Sequence, residues 1–230
     1  MAPQAPLRIA VCCLFALLAF VPGAQAEPAP EEGLQASGTW GTGAAARAAL
    51  EARLATLTPF EGTFHQTLED SFGQRLGDSA GEFALEPGAG LRWLTHRPYE
   101  EALVVNDAGA WLWDPALQQV LRRPKEDLLQ TPAALLLGLD PDWLDGYVIS
   151  RSTAQPTLDR YRLASRSQGL GPATLSLTWL EEELALLTVE EGSGQRLQLR
   201  FEALRPRPSA PDDFVFIVPE GAELLDEAAP

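Results

Sequence analysis

Between Phe60 and Phe201 the apolar residues of this chain recur mainly at every second position, in short runs divided by turn signals. That habit decides the fold class. Phe60, Gly62, Phe64, Gln66 and Leu68 alternate with Glu61, Thr63, His65, Thr67 and Glu69, the period of a strand with one face covered and one wet. The pattern returns in Leu91/Trp93, Leu103/Val105, Trp111/Trp113, Leu175/Leu177/Trp179 and Leu197/Leu199/Phe201. Turn signals at Gly73-Gln74, Pro87-Gly88, Asn106-Asp107-Ala108-Gly109 and Gly192-Ser193-Gly194 divide the runs. About eleven strands follow, mostly antiparallel because their connections are short.

Helical patterns are few. Residues 44–57 are dense in Ala, Leu, Arg and Glu, with Thr42 as the expected N-cap and Pro59 just beyond the end. Ala46, Leu50, Leu54 and Leu57 form one stripe along that helix. A second, short helix is marked by Thr131 as cap, Pro132 at its first position and Gly138 as stop. Its Leu135, Leu136 and Leu137 span most of its circumference, so it must touch apolar surface on more than one side.

These elements do not match in size. About eleven strands spaced by about 4.8 Å make a sheet some 50 Å wide, whereas a helix of about 14 residues is roughly 21 Å long and 10 Å thick. Wide antiparallel sheets curl or close. The expectation is therefore a mainly β fold: a curved, unclosed antiparallel barrel with the two helices as a lid over an apolar cavity. Phe64, Phe83, Leu91, Trp93, Leu103, Val105, Trp111 and Trp113 are expected to line the cavity, and Leu50, Leu54, Leu57, Leu135, Leu136 and Leu137 to close it. The alternative is that the aromatics fill a closed β core.

The first 26 residues stand apart. One positive charge within residues 1–8, an uncharged apolar run over residues 9–21 and Ala24-Gln25-Ala26 read as a cleaved secretory signal. An apolar helix of that length reaches only about 20 Å, short of the roughly 30 Å hydrocarbon core. Cys12 and Cys13 both lie inside it, so an exported chain starting at Glu27 has no disulfide, zinc-thiolate site or cysteine nucleophile. A lipid-modified cysteine is the alternative, disfavoured because Val11 suits that cleavage poorly and the cut would fall inside the apolar run. Residues 27–42, rich in Pro, Gly, Ala and Glu, read as a flexible leader, and residues 43–230 as one folded domain. Loss of Arg8 takes the net charge from −15 to −16, which argues against nucleic acid and anionic membrane surfaces as partners.

Chemistry-bearing motifs are scarce. His65 falls on a wet strand face and His96 in a turn, with no third metal ligand at suitable spacing. Residues 140–145 lack the glycine and terminal glutamate of a calcium loop. Glu181-Glu182-Glu183 and Glu190-Glu191 flank hairpin ends, and nothing selects a catalytic pair among them. No nucleophile elbow, phosphate loop or dinucleotide fingerprint is present. The chain reads as a carrier without cofactor or metal, not as an enzyme.

Phe60-Glu61-Gly62-Thr63-Phe64-His65-Gln66-Thr67 resembles the opening strand of the outer-membrane lipoprotein carrier family, LolA. The likeness continues in order through Gly81-Glu82-Phe83, Leu91-Arg92-Trp93, Pro98-Tyr99-Glu100 and Trp111-Leu112-Trp113-Asp114-Pro115. It runs on through Gln118-Gln119-Val120, Thr131-Pro132-Ala133-Ala134-Leu135-Leu136 and Phe214-Val215-Phe216-Ile217-Val218-Pro219-Glu220-Gly221. The resemblance implies a periplasmic, monomeric chaperone with an unclosed barrel, a helical lid and an apolar cavity. Its implied partners are acylated lipoproteins, an ATP-driven (ABC-type) inner-membrane lipoprotein-releasing complex and an outer-membrane lipoprotein receptor. One position departs from the pattern: the family's usual arginine before the hairpin proline, associated with lid contacts and release, is Glu86 here. Arg92, on the face opposite Trp93, is the substitute to consider. Competing readings are the receptor itself, another lipid-binding or lipoprotein-sensing half-barrel, and a carboxylate-based hydrolase.

Overall fold

The computed structural model describes residues 40–167 and 172–228. The expected signal (residues 1–26) and most of the leader lie outside the described residues. The elements in chain order are β1 (Gly41–Thr42), α1 (Ala44–Ala55), β2 (Phe60–Glu69), β3 (Arg75–Glu86), β4 (Gly90–Arg97), β5 (Glu101–Asn106), β6 (Gly109–Asp114) and β7 (Gln119–Arg123). After them come α2 (Pro132–Leu137), β8 (Tyr147–Gln155), β9 (Leu158–Ser165), β10 (Thr174–Leu180), β11 (Glu183–Glu190), β12 (Arg196–Pro206) and β13 (Glu223–Asp226). Three 3-10 turns, Lys125–Gln130, Trp143–Gly146 and Pro211–Phe214, complete the set.

All strands join one curved sheet in the order β1-β8-β9-β10-β11-β12-β2-β3-β4-β5-β6-β7-β13. β1 and β13 form its two edges, so the sheet does not close. Every pairing is antiparallel except β13 on β7. There are 13 strands rather than about eleven. The additions are β1, two residues long, and β13, four residues long; segments so short carry no period to read.

Pairing register sorts the side chains into two faces. Phe83, Trp93 and Leu103 lie opposite one another across β3, β4 and β5, and Leu163, Leu175, Val189 and Leu197 do so across β9 to β12. Both rows point to the inner face, where the helices lie and where the main hydrophobic core forms. Gly81 shapes this face. A Cβ there would stand 1.9 Å from the Leu94 carbonyl oxygen and 2.9 Å from the Phe64 ring, so only glycine lets that ring lie flat over β3.

α1 starts at Ala44 as expected and ends at Ala55, two residues before Leu57, and Gly43, not Thr42, is its N-cap, because Thr42 pairs with Ser150 in the sheet. The helix buries Ala46 and Leu50, while Leu54 and Leu57 pack on the core partly exposed. α2 has the expected boundaries, with Thr131 as N-cap, Pro132 first and Gly138 in the left-handed conformation at φ 64°. Its Ala133, Ala134, Leu135, Leu136 and Leu137 are all buried, so the short helix is enclosed on every side.

Candidate functional site

The inner face is paved with aromatic rings. Phe64 stacks on Trp93 with centroids 3.8 Å apart, Phe83 lies 5.6 Å from Trp93 and 5.2 Å from Phe201, and Phe60 meets Phe83 edge-on at 5.6 Å. Phe64, Phe83, Leu91, Trp93, Leu103 and Val105 are all buried in one core cluster together with Leu50, Leu135, Leu136 and Leu137. Six of the eight expected lining residues thus share one core cluster with four of the six expected lid leucines.

Trp111 and Trp113 do not belong there. In the β5–β6 ladder Leu103 faces Leu112 and Val105 faces Ala110, whereas Trp111 pairs with Val104 and Trp113 with Ala102. Both tryptophans therefore lie on the outer face. Trp111 stacks on Phe216 at 6.1 Å and carries the Arg122 guanidinium 5.4 Å from its ring centroid. The same outer strap is anchored by Phe214, which packs on Ala84 and Val104 and accepts a hydrogen bond from Asn106 Nδ2 at 2.7 Å.

The sequence-based lining also omitted half of the floor. Tyr161, Leu163, Leu175, Leu177, Trp179 and Leu187 on β9 to β11 are at most 1% exposed and belong to the same core. Their signal was legible, since Leu175, Leu177 and Trp179 alternate with Thr174, Ser176 and Thr178.

The helices are tied down by polar contacts at defined points. Under α1, Asp159 is nearly buried and receives Arg151 Nε at 2.7 Å, Arg151 Nη2 at 3.0 Å, the Tyr161 hydroxyl at 2.9 Å and Arg53 Nε at 3.3 Å. Arg53, near the C-terminus of α1, also reaches Glu182 at 2.5 Å and the Glu181 carbonyl at 3.0 Å. Burial alone would raise the Asp159 carboxyl; the hydrogen bonds from Arg151, Tyr161 and Arg53 outweigh it and hold the group below its usual range. Burial, and then the bond to Asp159, push the Tyr161 hydroxyl up to about 12. At the other end of α1, Arg47 bridges to Asp145 at 2.5 Å.

α2 is tied through backbone. The Gly88 N–H, at the tip of the β3–β4 hairpin, donates to the Leu137 carbonyl at 2.9 Å. Glu86, beside that tip, accepts instead from Ser209 Oγ at 2.6 Å. Arg92 does not substitute for the family's arginine: it pairs with Ala84 and Val104 on the outer face, away from α2.

Among the buried polar residues on this face, which include Gln66, Thr95 and Asp159, Glu101 stands apart. Glu101 opens β5 opposite Thr95, two residues before Leu103 on the same face, and is 9% exposed. Its Oε1 is shielded from solvent and makes no hydrogen bond among the described residues. Burial, then the charge of Asp114, push its carboxyl up to about 7.

Residues 55–217 match the family model described as outer membrane lipoprotein carrier protein LolA. Among curated relatives, an outer-membrane lipoprotein carrier protein of Chromohalobacter salexigens is 30% identical over 188 residues, covering 81% of this chain and 88% of its own. Those of Azotobacter vinelandii and Alcanivorax borkumensis are 32% and 29% identical, covering 71% and 76% of this chain and 80% and 85% of theirs. Among solved structures, a conserved protein from Thermus thermophilus shares the fold, with a TM-score of 0.52, 12% identity, and coverage of 79% of this chain and 99% of its own.

Proposed function

We propose a function that proceeds from one premise: this chain belongs to the LolA family of outer membrane lipoprotein carrier proteins. It shelters the acyl chains of lipoproteins on the inner face of its sheet and carries them across the periplasm. It accepts them from an ATP-driven release complex in the inner membrane and passes them to an outer-membrane receptor, acting as a monomer and without catalysis. The observation that carries this reading is the aromatic floor covered by two small helical elements, α1 and α2.

Magnitudes support such a device. Drawing one chain of about 15 methylenes out of lipid costs roughly 12 kcal/mol at about 0.8 kcal/mol each, so three chains need powered loading and an apolar shelter. Uncovering Leu50, Leu135, Leu136 and Leu137 costs about 1.5–3 kcal/mol apiece, in total comparable to what a single acyl chain regains on the same surface. Lid and cargo therefore compete on nearly equal terms. Binding opens the protein and release lets it shut.

Depleting the protein and then fractionating lipoproteins between the two membranes tests the function. Outer-membrane lipoproteins are expected to accumulate in the inner membrane; sorting that does not change would overturn the reading.

A further inference from the structure

A purely structural role does not account for Glu101. Leu103 and Val105, next along the same strand face, show what packing alone selects there. A shielded polar atom without a partner is destabilising, a cost that leucine or valine at position 101 would avoid. The nearest acid, Asp114, is engaged in its own turn, where its Oδ1 accepts the N–H groups of Ala116 at 2.8 Å and Leu117 at 3.0 Å. Across the ladder stands Thr95, 7% exposed. The floor that begins at Phe64 and Trp93 thus ends, about 7 Å along β5 from Leu103, in a hydrogen-bonding edge.

We propose that Glu101 is the polar anchor of the acyl site, hydrogen-bonding the amide or ester group that joins an acyl chain to its carrier. This rests on the carrier reading and says how cargo is held. The hydrocarbon lies over Phe64, Trp93 and Leu103 while its linkage stays at the β4–β5 edge. A protonated carboxyl suits both linkages, since it donates to an ester or amide carbonyl and accepts from an amide N–H. Burial keeps a protonated population at neutral pH. Chains lacking such a linkage find the floor but no fixed depth on it.

Binding of N-methyldecanamide and of dodecane, which are equal in length, tests the anchor by tryptophan emission. Glu101→Leu is expected to weaken the amide about five- to tenfold, the worth of one buried hydrogen bond, and to leave dodecane within about twofold. Glu101→Gln, which still donates and accepts, is expected to keep the amide within about twofold of the parent. An amide affinity unchanged in Glu101→Leu, or an equal loss for both probes, would overturn the anchor while leaving the acyl site standing. Failure of the parent protein to bind either probe would overturn the site and the anchor with it.

Discussion

Replacing Asp159 with alanine is expected to destabilise the protein by about 2–3 kcal/mol, because it leaves the buried Tyr161 hydroxyl and the partly exposed Arg53 and Arg151 guanidiniums without their acceptor. The carboxylate takes four hydrogen bonds from three side chains that come from two strands and from α1. Tyr161 is fully buried, so its hydroxyl has no access to water once Asp159 is gone. Arg53→Ala removes only the share that reaches α1, leaving Asp159 with Arg151 and Tyr161, and is expected to cost about 1 kcal/mol. Urea unfolding of both variants at pH 7 reads the difference. A loss below about 1 kcal/mol for Asp159→Ala would mean that the cluster behaves as a set of exposed ion pairs.

Glu101 makes the opposite contribution. With its carboxyl at about 7 in the folded chain against 4.5 unfolded, the folded state keeps its proton over that interval while the unfolded state has lost it. Below pH 4.5 both states are protonated and the group is neutral in the balance. As pH rises from 4.5 to about 7, stability falls, by about 3 kcal/mol once both states are ionised. Glu101→Gln cannot titrate, so the variant is expected to gain about that much relative to the parent between pH 4.5 and pH 8. The parent shares every other titrating group with the variant, so the difference isolates this one. Parallel stability curves over that range would show that Glu101 is hydrated in the folded protein.

The sequence carried the large features and lost the ones set by distant partners. Periodicity found the strands, and the Thr131, Pro132 and Gly138 signals placed α2 within its observed bounds. The width argument led to an open sheet because it depends only on how many strands two small helices must cover. Trp111-Leu112-Trp113 failed because it is apolar on both faces; register alone, through Val104 and Ala102, says which face each residue takes. Phe216, which covers Trp111, is over a hundred residues away. Asp159 sits between Leu158 and Arg160 with no local hint that Arg53 and Arg151 converge on it. Glu101 was invisible for the same reason, since Glu100 beside it is exposed and only strand phase separates the two.

In the proposed carrier, the two ties on the helices divide the work of a lid. α1 is held by charge to β9 and to the Glu181-Glu182 turn, whereas α2 is held to the β3–β4 hairpin by one backbone hydrogen bond and by packing. Hydrocarbon cargo competes with packing and not with charge, so α2 is the element that should yield first. Amide hydrogen exchange measures this directly at the Gly88, Gly138 and Leu139 N–H groups, which are bonded to Leu137, Leu135 and Ala134. With an acylated peptide bound these amides are expected to exchange faster than in the empty protein, and an unacylated peptide is expected to change nothing. Protection that stays intact while the acylated peptide is bound would contradict the claim that lid and cargo share one surface.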